Sequence, residues 1–171
     1  MTQPSPPAPP LIVLIMGVAG SGKTTIGRLL AAELGWTFRD ADDFHPPANI
    51  AKMSRGVALD DADRAPWLAA IRAFIDATLA RGASAVVTCS ALKENYRRAL
   101  VSDPAKVKLV HLTGDFALIR RRLEARPAHF MKAGLLPSQF AALEPPRAAL
   151  TIDVTPPPAE IVAEIRRRLG L

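Results

Sequence analysis

The segment Gly17-Val-Ala-Gly-Ser-Gly-Lys-Thr24 constrains this chain more than any other. It follows a short, wholly apolar run, Leu11 to Met16, rich in branched side chains, as a strand buried on both faces requires. Downstream, Ile26, Leu29, Leu30 and Leu34 recur at helical spacing, and Gly35 stands where a helix stops. A strand that enters a glycine-rich loop and leaves it as a helix is built to grip phosphate. Glycines let the backbone turn sharply and aim successive N–H groups at an anion, and the helix adds its positive N-terminal end. The pattern G-x-x-x-x-G-K-[ST] in this setting predicts a nucleoside triphosphate site. Gly17, Gly20, Ser21 and Gly22 form the cradle, and Thr25 continues it into the helix. Lys23 is expected to place its charge on the β- and γ-phosphates, and the Thr24 hydroxyl to ligate Mg²⁺. ATP and Mg²⁺ are the expected cofactors.

The rest of the chain supplies a frame for that loop. Its 171 residues suit one domain, and 49% hydrophobic content excludes a disordered chain. The single cysteine, Cys89, excludes an intrachain disulfide and a Cys-rich zinc site. The longest apolar run is far short of a membrane span, and no Lys or Arg precedes it as a secretory signal requires. The expected location is the cytoplasm, with no membrane partner. Five prolines in the first ten residues predict a disordered tail over 1–10, and a single domain over 11–171 with a lid around 120–140. Further strands are predicted at Trp36 to Arg39, Ala85 to Cys89, Val107 to Leu112 and Leu150 to Val154. Helices are predicted from Arg64 to Arg81, from Phe116, and after Pro158. Strands alternating with helices of this length give an α/β fold with a parallel sheet covered on both faces.

The loop alone does not separate kinases from GTPases or motor ATPases. An N-K-x-D or D-x-x-G motif would mark a guanine switch, and neither occurs. A motor ATPase usually ends an apolar strand in Asp, whereas Ala85-Val-Val-Thr88 runs into Cys89-Ser90. The acidic cluster Asp40-Ala-Asp-Asp43 follows Trp36 to Arg39 instead. At the end of a parallel strand beside the first, it lies over the γ-phosphate edge of the sheet. One carboxylate there can orient Mg²⁺, and the next can accept a proton from an attacking hydroxyl; Asp42 and Asp43 are adjacent and point different ways. Between Arg120 and Lys132, Arg120, Arg121, Arg122, Arg126, His129 and Lys132 crowd donors into one stretch. Such a segment can exclude water and bring an Arg to the transferring phosphoryl group. Three adjacent arginines cannot all face one site, so Arg120 and Arg121 read as solvated. The net charge of +6 suits phosphate and carboxylate ligands, and 5% aromatics offer no base-stacking surface, so no nucleic-acid partner is expected. These features describe a small-molecule kinase whose acceptor binds between Asp42 and the stretch from His45 to Arg97.

The chain resembles the gluconate kinase (gluconokinase) family. The resemblance rests on the phosphate loop, Asp40-Ala-Asp-Asp-Phe-His-Pro46, Asn49-Ile-Ala-Lys-Met53, Leu59-Asp-Asp-Ala-Asp-Arg-Ala-Pro-Trp-Leu68 and Cys89-Ser-Ala-Leu-Lys-Glu-Asn-Tyr-Arg97. It continues through Gly114-Asp-Phe116, Arg122-Leu-Glu-Ala-Arg126, His129-Phe-Met131 and Leu135-Leu-Pro-Ser-Gln-Phe140. It implies transfer of the ATP γ-phosphate to the 6-hydroxyl of D-gluconate. It also implies a nucleoside-monophosphate-kinase-like three-layer sandwich with five parallel strands, a mobile lid and a homodimer. By the same resemblance Asp42 is the base, Asp40 lies nearer Mg²⁺, and Lys23 and Arg126 stabilise the transferring group, with Arg122 on the nucleotide. Asp43, His45, Lys52, Lys93, Arg97 and His129 would contact the acceptor side. His129 divides between phosphate contact and lid packing; Trp67, Phe130 and Cys89 read as packing residues. Two departures stand out: Asp60 where the family commonly has Asn, and the extra proline in Glu144-Pro-Pro146.

Overall fold

A computed structural model describes residues 9–126 and 135–171. The tail residues 1–8, and His129, Phe130 and Lys132 of the expected lid, lie outside the described residues. Five strands, β1 (Ile12–Met16), β2 (Thr37–Asp40), β3 (Ala85–Thr88), β4 (Val107–Thr113) and β5 (Leu150–Asp153), form one sheet in the order β2-β3-β1-β4-β5. Every pairing is parallel. The helices among the described residues are α1 (Lys23–Leu34), α2 (Pro47–Ser54), α3 (Asp61–Ala80), α4 (Glu94–Leu100), α5 (Phe116–Glu124), α6 (Leu136–Ala142) and α7 (Pro158–Leu169). The architecture is the predicted three-layer α/β sandwich.

The unbroken apolar sequence of β1 is explained by its two faces. Val13 and Ile15 join Ile26 and Leu30 of α1 and Ile161, Val162 and Ile165 of α7 on one side of the sheet. Ile12, Leu14 and Met16 pack against Trp67, Leu68, Ile71 and Ile75 of α3 on the other. No position of β1 reaches solvent, so none can be polar. The arginines of α7 stay at the surface, with Arg166 paired to Glu33 of α1 at 2.9 Å and Arg167 to Glu164 at 2.8 Å.

Two expectations need correction. The strand carrying the acidic cluster is not beside β1, because β3 lies between them. Burial decides the order: β3 is buried along its whole length, whereas Thr37 and Arg39 of β2 are exposed and suit a sheet edge. The long helix also begins earlier than Arg64. Asp60 caps it by accepting the Asp63 N–H, while the Asp63 side chain accepts the Asp60 N–H in return. This reciprocal box fixes the start at Asp61. An Asn at 60 offers the same cap oxygen, so the Asp60 departure leaves the fold unaltered.

Candidate active site

The phosphate loop joins β1 to α1 as a turn of left-handed glycines. Gly22 caps α1 at φ 93°, a conformation that side-chain-bearing residues rarely adopt. At Gly17 a Cβ would meet the Ser21 hydroxyl at 2.7 Å and the Leu112 carbonyl at 2.8 Å. The Lys23 ammonium donates to the Val18 carbonyl at 3.0 Å, curling back across its own loop. Burial pushes its pKa below the ordinary lysine value, against the opposing pull of Asp42, Cys89 and Asp40, and nearby Arg126 lowers it further.

The edge strand delivers the acidic cluster to this loop. The Thr24 hydroxyl donates to Asp40 Oδ2 at 2.9 Å, locking the first turn of α1 to the end of β2. The other Asp40 oxygen accepts the Asp42 N–H at 3.1 Å and caps the 3-10 turn Ala41–Phe44. Asp40 thus sits against the phosphate loop, while Asp42 and Asp43 project from the turn at the surface. Among the described residues no cluster of three acidic, His or Cys side chains forms a metal cage. The Thr24–Asp40 oxygen pair nevertheless fits Mg²⁺, which takes few protein ligands and completes its shell with phosphate and water.

Behind the turn, Trp67 fixes its shape. The indole N–H donates to the Ala41 carbonyl at 2.7 Å, and the His45 ring stacks on the indole at 4.5 Å and 7°. Trp67 is therefore a core residue, as read from the sequence, and also the platform for His45. The Asn49 amide lies 3.4 Å from His45 Nδ1, and His45 Nε2 lies 3.9 Å from Asp42 Oδ1. With Nδ1 accepting from Asn49, Nε2 carries the proton and faces the Asp42 carboxylate.

Of the residues expected on the acceptor side, Lys52 and Lys93 are held by the start of α3. Lys52 pairs with Asp63 at 2.6 Å, and Lys93 lies 3.6 Å from Asp61 and over the Tyr96 ring. The Tyr96 hydroxyl donates to Asp61 and accepts from Arg64 Nη1 at 3.2 Å. Arg97 differs from its expected place. Its guanidinium is buried and committed to Glu94 and to the Ala91 and Leu92 carbonyls. A buried guanidinium must be paired on nearly every N–H, so it holds the loop before α4 from within. Sequence reasoning passed over Asn49, Asp61, Asp63, Arg64, Tyr96 and Gln139 as polar contributors. The signal for the α3 group was the D-x-x-D box, which marks where that helix begins.

On the nucleotide side, α5 packs directly on the loop: a Cβ at Gly20 would come within 3.2 Å of the Ile119 carbonyl and 3.3 Å of Leu123. That contact puts the end of α5 beside the phosphate loop, with Arg122 half-buried and Arg126 exposed. Arg120 instead pairs with Glu124 at 2.8 Å on the solvated face. Cys89 is buried, and burial raises its thiol pKa to about 12, so it is an inert packing residue.

A family model described as shikimate kinase matches residues 19–137. A gluconokinase from Gluconobacter oxydans is 48% identical over 137 residues, covering 80% of this chain and 77% of the relative. The chain belongs to the shikimate kinase family and, within it, with the gluconokinases. Solved structures agree with that gluconokinase assignment. A gluconokinase from Sinorhizobium meliloti superposes with a TM-score of 0.78 at 39% identity, covering 94% of this chain and 96% of that one. A sugar kinase from Janibacter sp. reaches a TM-score of 0.87 at 42% identity, covering 95% of each chain. No described helix of this gluconokinase-family chain is long and apolar enough to cross a membrane.

Two histidines among the described residues, His45 beside Asp42 and His111 on β4, give the fold a pH signature. Burial, with Arg64 nearby, holds His45 below its ordinary pKa; burial, with Arg97 nearby, does the same to His111. Between these lowered values and about 6.5 the unfolded chain binds more protons than the folded one, so stability falls as pH drops through that window. The depressed carboxylates Asp61, Asp63, Glu94 and Asp153 act only at more acid pH. Urea unfolding at pH 7, 6 and 5 should therefore show declining stability. The decline should be shallower in a His45→Asn, His111→Gln double variant, and an unchanged slope would remove the histidines as its cause.

Proposed function

We propose that this chain transfers the ATP γ-phosphate to the 6-hydroxyl of D-gluconate, with Asp42 as base and Lys23 and Arg126 as the charge-stabilising groups. The observation that carries the mechanism is the Thr24–Asp40 bond, which ties the phosphate loop to the strand end bearing Asp42. Kinship with the gluconokinases supports the choice of acceptor. Mg²⁺, held by Thr24 and Asp40, would neutralise phosphate charge. The N–H groups of Gly20 to Thr25, with Arg122, hold the triphosphate. Lys52 and Lys93 offer ammonium donors to gluconate's carboxylate and hydroxyls, and Arg64 adds a planar fork beside them. His45 keeps the Asp42 carboxylate oriented, and Asp43 adds an acceptor for hydroxyls. His129 belongs to the same acceptor-side reading.

As the 6-oxygen attacks the γ-phosphorus, its proton passes to an Asp42 oxygen and the bond to the β-phosphate oxygen breaks. ADP and 6-phosphogluconate result. Lys23 and Arg126 meet the charge that spreads over the transferring group. The same reading has a cytoplasmic homodimer working without nucleic acid or membrane.

ADP release with Mg²⁺-ATP and gluconate, shikimate, AMP or no acceptor, run side by side, tests the assignment. Turnover is expected with gluconate alone. Turnover with shikimate or AMP would keep the kinase chemistry and overturn the acceptor.

A further inference from the structure

The short stretch from Gln139 to Glu144 touches both substrate loops and has no part in the chemistry described above. Gln139, on α6, accepts the Ala19 N–H through Oε1 at 2.7 Å, inside the phosphate loop. Glu144, five residues on, grips the acceptor side twice. Its N–H donates to the Leu92 carbonyl at 2.9 Å, and its Oε2 accepts the Glu94 N–H at 2.6 Å. Between them Leu143 packs against the cores on both faces of the sheet, and Leu136 anchors the start of α6 at 1% exposure.

The loop that Glu144 grips is one that needs holding. It leads into Lys93, assigned above to the acceptor, and Ala91 within it has φ 43°, unique among the described non-glycine residues. Such a conformation persists only where the surroundings over-determine it. Arg97 holds the Ala91 and Leu92 carbonyls from within at 3.0 and 2.9 Å, and Glu144 holds Leu92 and Glu94 from the side of α6. The Glu144 carboxylate also satisfies a first-turn N–H of α4, a helix that has no side-chain cap of its own.

We propose that Gln139 and Glu144 make the end of α6 a strut between the phosphate loop and the acceptor loop, with Glu144 a positioning residue that sets Lys93 for gluconate. The proposal rests on the gluconate assignment above. Because one rigid segment bonds both loops, nucleotide bound at one end biases the acceptor loop at the other. The coupling needs no contact between Glu144 and either substrate.

The test begins with wild-type turnover of gluconate, since failure there sinks the acceptor assignment before any variant is made. Glu144→Ala should raise the gluconate KM about tenfold, the loss of roughly one hydrogen bond to a charged group, with little change in the ATP KM. Glu144→Gln keeps an acceptor oxygen and should restore most of the gluconate KM. Gluconate affinity, titrated with and without a non-hydrolysable ATP analogue, should differ in the wild type, and the difference should shrink in Gln139→Ala. Equal rises in both KM values, no rise in either, or failure of Glu144→Gln to rescue would overturn the positioning role. An undiminished nucleotide effect in Gln139→Ala would overturn the strut. Should Glu144→Ala not fold, Glu144→Lys, which removes the acceptor oxygen but keeps a long solvated side chain, takes its place in the KM split, and Gln139→Ala carries the titration.

Discussion

Asp42→Asn should lower kcat by about 10²–10⁴-fold while the protein still binds ATP. The substitution keeps size and shape and removes only the ability to take a proton. The turn that carries residue 42 is fixed by other groups, namely the Asp40 carboxylate on the Asp42 N–H and the Trp67 indole on the Ala41 carbonyl. The amide of the variant would therefore stand where the Asp42 carboxylate does. Rapid-mixing turnover with saturating gluconate, alongside a nucleotide titration, separates the two readouts. A variant that kept wild-type kcat would pass the role of base to Asp43, which shares the turn. Loss of ATP binding would instead place Asp42 among the groups that hold the nucleotide.

Arg126→Ala should cost more, about 10³–10⁵-fold in kcat, the range for an arginine that meets the charge of a transferring phosphoryl group. Arg126 lies near enough to Lys23 to depress its pKa, and the helix that leads to it packs on Gly20 of the phosphate loop. Two cations held near one another repel unless an anion lies between them, and the triphosphate supplies that anion. Arg126→Lys should recover only part of the loss, because a point charge lacks the planar fork. Arg121→Ala, on the exposed part of α5, is the control and should leave kcat unchanged. Equal effects at 121 and 126 would mean that bulk positive charge matters and no single guanidinium does.

How these residues come together was unevenly legible. The phosphate loop was readable because its chemistry is backbone chemistry: glycines at 17, 20 and 22 state the turn, and the residues on either side state strand and helix. The strands were readable for a related reason. A strand buried on both faces admits mainly apolar residues, and β1 and the Ala85–Val87 run of β3 announce themselves by that restriction. The helices α2, α4 and α6 were not readable. They run 8, 7 and 7 residues, too short for a period to emerge, and none has a side-chain cap. Arg97 shows the limit most plainly. In sequence it is one more cation in a basic stretch, yet its burial beneath the Ala91 turn makes it a scaffold for the loop that carries Lys93.

The sequence by itself determined the phosphate grip, the α/β alternation and the residue types available for phosphoryl transfer, because each is written in local patterns a few residues long. Tertiary structure decided which of those residues meet. Only the sheet order puts β3 between β1 and the edge strand that carries Asp40, and only the fold brings Thr24 to Asp40, sixteen residues apart. The pairing of Lys52 with Asp63, the stacking of His45 on Trp67 and the bridging of two loops by Gln139 and Glu144 belong to the same class. The physical reason is common to all of them. A long-range polar contact leaves no periodicity in the chain, since its geometry exists only after the hydrophobic faces of the sheet have been buried and the loops at its C-terminal edge have been drawn together.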